Sequence, residues 1–419
     1  MQFSAIFSSG EKNRTLIGAS AFLVLAYAAF PVAMGLAYIA MALACALGLC
    51  AWQRLRWQHQ AFRNPLVIAS LGLYGWMLVG WSYSNAPTSD VILHFSKYAK
   101  LALIPVFWLL LQDVRWRYRC AIGFMLAMGF VLVSAYANIF FQLPWSETQN
   151  LGWGQDHTVI GDYITQNIMM AFFAVLMLEK AVQVKAALAK VFFIVVFVLA
   201  ALVITHMSYG RTGYVLLIIS VGVYAINWAQ GWKQWCAIAA LACMIGGSLA
   251  SSETVQTRVA QAVHEAQTSD AMEITSIGGR INFWKYTLEM TLQKPLQGWG
   301  TGSYHTQWCE HVNAAGWCEF GRWHPHNQYL FFWVEHGVVG LLLFLLLLAS
   351  PILMTRHMAA SSQRLAWCFS AIFAVNSLVN ASLWSSRESH FFVLMVCLAC
   401  AGFVLKPPAQ STKPSEVRA

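Results

Sequence analysis

The chain has 419 residues, of which 58% are hydrophobic and only 10% charged, against roughly 25% charged residues in a soluble domain. The formal net charge of +9 would point to nucleic acid in a soluble protein, but in so apolar a chain it belongs to loop topology, because cytoplasmic loops of membrane proteins collect Lys and Arg. A soluble enzyme and a nucleic-acid partner are thereby excluded. Apolar runs approaching the roughly 20 residues needed to span a bilayer recur along the sequence, and such runs imply helices rather than barrel strands.

In chain order the runs predict twelve spans, at 15–30, 32–51, 65–83, 91–111, 118–141, 164–180, 187–205, 212–229, 234–250, 328–349, 364–383 and 388–405. The first begins near Leu16 and is followed by further spans rather than a small-residue cleavage site, so it reads as a retained helix. Pro31 divides the first two, which are either separate or one bent segment. The expected organisation is residues 1–250 as helices one to nine with short loops, 251–327 as a long loop, 328–405 as helices ten to twelve, and 406–419 as a tail.

Alternating the loops puts Lys12, Arg14, Arg54, Arg56, Arg63, Arg115, Arg117, Arg119, Lys180, Lys185, Lys190, Lys233, Arg356, Arg364, Lys406, Lys413 and Arg418 on one side, 17 of the 26 basic residues. That asymmetry predicts cytoplasmic termini and an extracytoplasmic long loop. The short loops of the other side hold only Arg211 and Arg387. Cys309 and Cys318 flank a polar stretch in the long loop, and an oxidising compartment would permit a disulfide between them. The other eight cysteines fall in or beside apolar runs, where they serve as small packing residues.

Within the long loop, Val255, Val259, Ala262 and Ala266 recur at helical spacing, as do Phe283, Trp284, Thr287, Leu288 and Leu292 before Pro295. The second set predicts a helix in the membrane interface. The GWGTGSY stretch is too glycine-rich for a helix and is expected to let backbone approach a ligand. Where the loop passes into span ten, Pro325 and His326 are placed at a helix start, which favours an anion.

Four features carry candidate chemistry. Arg211, in HMSYGRTGYV, lies on a side poor in positive charge; otherwise it is a snorkelling interfacial arginine. Arg280 follows two glycines and opens the second loop helix. His326 sits in HPHNQYL beside His324, and an imidazole able to titrate near pH 7 is a reasonable general base. Asp90, His94 and Lys97 form a stripe in span four, facing a cavity or pairing between spans. Walker, HExxH and GxSxG motifs are missing, Asp156 and Asp162 are too isolated for a metal pair, and paired carboxylates for glycosidase chemistry are scarce.

A GRTG-type arginine motif, then RINFWKYTLEMTLQKPLQGWGTGSY, then HNQYL, in that order among about a dozen spans, resembles the O-antigen ligase and polymerase superfamily. The resemblance runs at motif level from about residue 205 to 400. It implies an all-α membrane glycosyltransferase of the bacterial inner membrane that takes a glycan from undecaprenyl diphosphate at the periplasmic face. Its acceptor would be the lipid A–core saccharide, with surrounding membrane lipids and no metal or cofactor. Matched to the family's positions, Arg211 and Arg280 would hold the diphosphate and His326 would be the base of an inverting displacement. Lys97, Arg387, His324, Asn327 and Tyr209 are assigned to substrate binding. Ligase is preferred over polymerase because the single long loop falls late and leads into HNQYL. A secondary transporter using Lys97 is the rival of another class, but no internal repeat supports it.

Overall fold

The computed structural model of the protein describes residues 14–51, 63–267, 276–312 and 315–408. These hold seventeen helices and no strand: α1 Arg14–Ala29, α2 Met34–Cys50, α3 Pro65–Trp81, α4 Thr88–Tyr98, α5 Lys100–Leu110, α6 Val114–Ala137, α7 Tyr163–Gln183, α8 Ala187–His206, α9 Arg211–Trp228, α10 Trp232–Ser251, α11 Glu253–Gln267, α12 Ser276–Gln293, α13 Tyr304–Val312, α14 Ala315–Gly321, α15 Gln328–Thr355, α16 Ala360–Val379 and α17 Ser386–Ala401. Every expected span falls on a helix, the fourth across α4 and α5. Among the described residues seven helices are long and apolar enough to cross a membrane, Thr88–Leu110 counted as one, while α1, α2 and α3 are apolar but shorter. This architecture fits an integral membrane protein.

The predicted break at Pro31 is a turn, and α1 and α2 pack side by side as a hairpin, with Gly18 facing Leu47. A helix that is apolar on every side must meet either lipid or protein. Both outcomes occur here: α17 is buried from Glu388 to Ala401 at the centre of the bundle, whereas α8 turns Leu188, Val191 and Phe192 outward.

Several residues expected on one side gather at one end. Arg117 donates to the carbonyl of Ala401, Lys180 to that of Leu405 at 2.8 Å, and Arg364 forms a bidentate pair with the buried Glu179 at 2.9 and 3.0 Å. Lys12, Arg54, Arg56, Lys413 and Arg418 lie outside the described residues. The loop 142–162, the α8–α9 turn and helices α11 to α14 crowd the opposite end.

The glycines of GWGTGSY serve a purpose other than the one expected. Gly298, Gly300 and Gly302 have φ of 74°, 96° and 80°, which favours glycine, but what approaches them is protein. The helix α15 breaks at Gly337, φ 61° and ψ −163°. The carbonyls it releases are satisfied from outside the helix: Val334 accepts from Trp299 N–H at 2.9 Å, Glu335 from Gly300 N–H at 2.8 Å, and His336 from Trp76 Nε1 at 3.0 Å. Thr301 donates to Met77 O at 2.6 Å, tying the same turn to α3. A buried backbone group without a partner costs about as much as a lost hydrogen bond, so the loop and the broken helix hold each other.

The apolar side of α12 is also rotated from expectation. Phe283, Thr287, Met290 and Thr291 are buried, whereas Leu288 and Leu292 are exposed with Ile281. The buried set recurs at 283, 287, 290 and 291 and packs toward α15, while the aliphatic residues remain outside. On α11, Val255, Val259 and Ala262 line an apolar groove of about 440 Å³ against α9 and α10; the side chain of Ala266 lies outside the described residues. Cys309 and Cys318 form a disulfide joining α13 to α14.

Candidate active site

Arg211 is the first residue of α9, where the GRTG turn ends. Gly210 and Gly213 beside it stand where a Cβ would come within 2.7 and 2.6 Å of Asn167 Nδ2, so only glycine lets the turn seat so closely on α7. The guanidinium of Arg211 forms a bidentate pair with Glu265 of α11, at 2.8 and 3.3 Å. Arg280, on the first part of α12, lies within the field of Arg211, Tyr163 and Glu265. Burial and the neighbouring Arg211 both disfavour its charge, so its pKa is lowered while Tyr163 and Glu265 offset part of the effect. Arginine nevertheless stays protonated in proteins.

His326 approaches from the other direction. Its backbone is in the left-handed region, φ 51°, uncommon for a non-glycine residue. The conformation is held by His326 N–H donating to His324 Nδ1 at 3.3 Å and by Trp284 Nε1 donating to its carbonyl at 3.4 Å. The imidazole stacks on Phe283 with centroids 5.5 Å apart and meets His324 edge-on at 4.3 Å. His324 faces Trp384 at 6.4 Å, and the Lys97 amine lies 5.5 Å from the same indole. One series of rings therefore runs from Lys97 through Trp384, His324 and His326 to Phe283, three residues from Arg280 on α12.

Burial, and then the Arg280 charge, push the His326 pKa down to about 4, with the Asn380 side chain acting in the opposite sense. Burial also lowers His324, with His326 and Lys97 adding to it. The expectation that His326 titrates near pH 7 is therefore corrected. It is neutral throughout the physiological range, because a cation and an apolar ring flank it. Neutral imidazole is the form that accepts a proton.

The remaining predicted residues divide. Asn327 caps α15, its Oδ1 accepting from Leu330 N–H at 3.0 Å. Arg387 lies against Gly161, with Asp162 and Glu147 nearby. Tyr209 turns towards a separate polar cavity beneath the Arg258 guanidinium, 5.0 Å from its ring. The stripe in α4 separates as well: Asp90 meets His305 at 3.3 Å, His94 pairs with Glu335 at 3.0 Å, and only Lys97 faces the imidazoles.

Glu265, Tyr163, Trp384, Asn380 and Glu335 join the site or its support without having stood out in the sequence. Glu335 carries a usable signal, since it is a carboxylate within the apolar run FFWVEHGVVG, and ionisable residues in spans are rarely idle. Nothing in sequence marks Glu265 or Tyr163 as neighbours of two distant arginines.

With the geometry in place, comparison with known families is informative. The family described as O-antigen ligase matches residues 193–345. That segment is similar to the O-antigen ligase family. It carries Tyr209, Arg211, Arg280, His324, His326 and Asn327, while Lys97 and Arg387 lie outside it. An uncharacterized protein of Haemophilus influenzae is 24% identical over 165 residues, covering 37% of this chain and 41% of that one. The chain thus spans about two fifths of the length of this relative. The match supports the ligase and polymerase superfamily resemblance without separating its two activities.

Proposed function

We propose that the protein is a membrane glycosyltransferase that moves O-antigen polysaccharide from undecaprenyl diphosphate to the lipid A–core saccharide. In this reading it has twelve spans with both termini cytoplasmic, residues 251–327 form the periplasmic loop, and transfer takes place at the periplasmic face of the inner membrane. One observation carries the chemistry. Two guanidinium groups and a neutral imidazole, from three segments far apart in sequence, gather at one end of the bundle.

A leaving diphosphate gains charge as the glycosyl bond breaks, and positioned arginines stabilise it with strong, directional hydrogen bonds. Arg280 and Arg211 supply these, with Glu265 orienting Arg211 until the anion arrives. His326 takes the proton of the acceptor hydroxyl as that oxygen attacks the anomeric carbon. The carbon–oxygen bond to the diphosphate breaks on the opposite face, its electron pair stays on the leaving oxygen, and the centre inverts. A bound anion beside His326 counters Arg280 and raises the affinity of the imidazole for that proton. Lys97 extends the positive edge of the site, and neutral His324 adds a hydrogen-bonding group beside it.

Purified protein with labelled lipid-linked O-antigen and lipid A–core tests this. Capped core is the expected product and persists with chelator; a lengthened donor would identify a polymerase instead, and dependence on a divalent ion would defeat the arginine mechanism. The pH dependence has a definite sign. Because only neutral His326 is a base, kcat/KM should be level across neutral pH and fall on the acid side towards its pKa of about 4. An acid limb for kcat/KM near pH 6.5, where a solvated imidazole titrates, would show that the buried His326 is not the base.

A further inference from the structure

Next to the groove that Arg211 enters lies a second cavity, of about 620 Å³, that the transfer chemistry leaves unused. Its walls come from the loop 142–162, the α8–α9 turn and the start of α11, and they include Trp153, Gln155, Tyr209, Thr257, Arg258 and Gln261. Trp153 is 51% exposed at this wall. Tyr209 lies beneath the Arg258 guanidinium at 5.0 Å, and Arg258 donates to Gln261 at 3.0 Å. The adjoining groove shows the contrast: it takes Arg211 and shares Arg258, but is otherwise lined mainly by aliphatic residues of α9, α10 and α11.

We infer that the polar cavity is a saccharide-binding subsite, holding a hydroxyl-rich glycan segment of one of the two substrates against Trp153 and Tyr209. This rests on the transferase reading above. Its volume falls within the roughly 300–1,000 Å³ of small-molecule pockets. The apolar C–H face of a sugar ring suits an indole or phenol face, and its hydroxyls match amide and hydroxyl groups that both donate and accept. The single Arg258 is balanced by Glu253 in the same lining, so the cavity suits a neutral polar ligand rather than a second diphosphate. Arg258 lines both this cavity and the groove that Arg211 enters, so the subsite adjoins Arg211 across one side chain, and His326 is not in its lining. Its contribution is therefore recognition and not bond breaking.

Calorimetry on full-length protein carrying His326→Ala, so that nothing is consumed, tests the subsite with two lipid-free probes: an O-antigen repeat-unit oligosaccharide and delipidated core oligosaccharide. One of them should bind, and which one identifies the substrate served. Trp153→Ala, and Thr257→Trp, which fills the cavity, should each weaken that binding by at least about tenfold, equivalent to one stacking contact of about 1.4 kcal/mol. Undecaprenyl diphosphate without sugar should bind both variants as it binds the parent. If neither oligosaccharide binds, or both variants bind as the parent does, the subsite is overturned, even where the otherwise unaltered protein transfers glycan. Oligosaccharide binding that is lost in both variants upholds the subsite, even where no transfer is detected and the transferase reading falls.

Discussion

Replacing Arg280 with alanine is expected to slow glycan transfer by about 10²–10³-fold, the usual loss when one positioned charge stabiliser is removed. Arg280 stands between Arg211 and His326, felt electrostatically by the imidazole and itself sensing Arg211. On the proposed mechanism its removal would deprive the leaving diphosphate of a donor, and it relieves His326 of a neighbouring cation. Two readouts follow. Single-turnover transfer should fall steeply, while the His326 pKa, followed by NMR of labelled histidine, should rise from about 4. Arg280→Lys should recover the pKa more fully than the rate, because an ammonium restores charge without the guanidinium's planar fork. Transfer within about threefold of the parent, in a variant with unchanged thermal stability, would exclude Arg280 from holding the diphosphate.

Glu335→Ala should be the most damaging substitution for the fold, at about 3–5 kcal/mol, because it leaves two buried donors unpaired at about 1–3 kcal/mol each. Glu335 is fully enclosed, accepting from His94 Nδ1 at 3.0 Å and from Tyr304 N–H at 3.1 Å. His336 lies 3.6 Å away. Its side chain therefore joins α4, the start of α13 and α15 beneath the loop that carries His326, and its own carbonyl receives Gly300 N–H. Alanine leaves His94 and the Tyr304 amide buried without their acceptor. The expected result is a lower unfolding temperature in detergent and loss of transfer together. His94→Leu combined with Glu335→Leu should recover part of the stability, since apolar replacement of both partners is often neutral or better. An unchanged melting temperature for Glu335→Ala would show that the cluster contributes no net stability.

The loop-to-helix passage at 324–328 shows where the two levels of description meet. HPHNQYL marks a polar-to-apolar boundary in sequence, and the helix indeed begins at Gln328 with Asn327 as its cap. The acidity of His326 is legible only from its surroundings, since Phe283 and Arg280 reach it from α12, more than forty residues earlier. The glycines of GWGTGSY are positions of close approach, as their density implies, but their partner is the broken helix at Gly337 rather than a ligand. Likewise the Asp90, His94 and Lys97 stripe is a valid helical face, but Asp90 meets His305 and His94 pairs with Glu335, while His94 and Lys97 both reach Trp384.

Apolar run length, loop charge and the order of GRTG, RINFWKY and HNQYL determined by themselves the helical membrane class and the family resemblance, because hydrocarbon admits few backbone structures and those properties are local. Tertiary structure alone decided which face of α12 is buried, that Glu265 and Tyr163 accompany the arginines, and that Tyr209 turns to a cavity of its own. Those outcomes depend on helix packing between distant segments, where one rotation of a helix exchanges every neighbour and no local spacing records the choice.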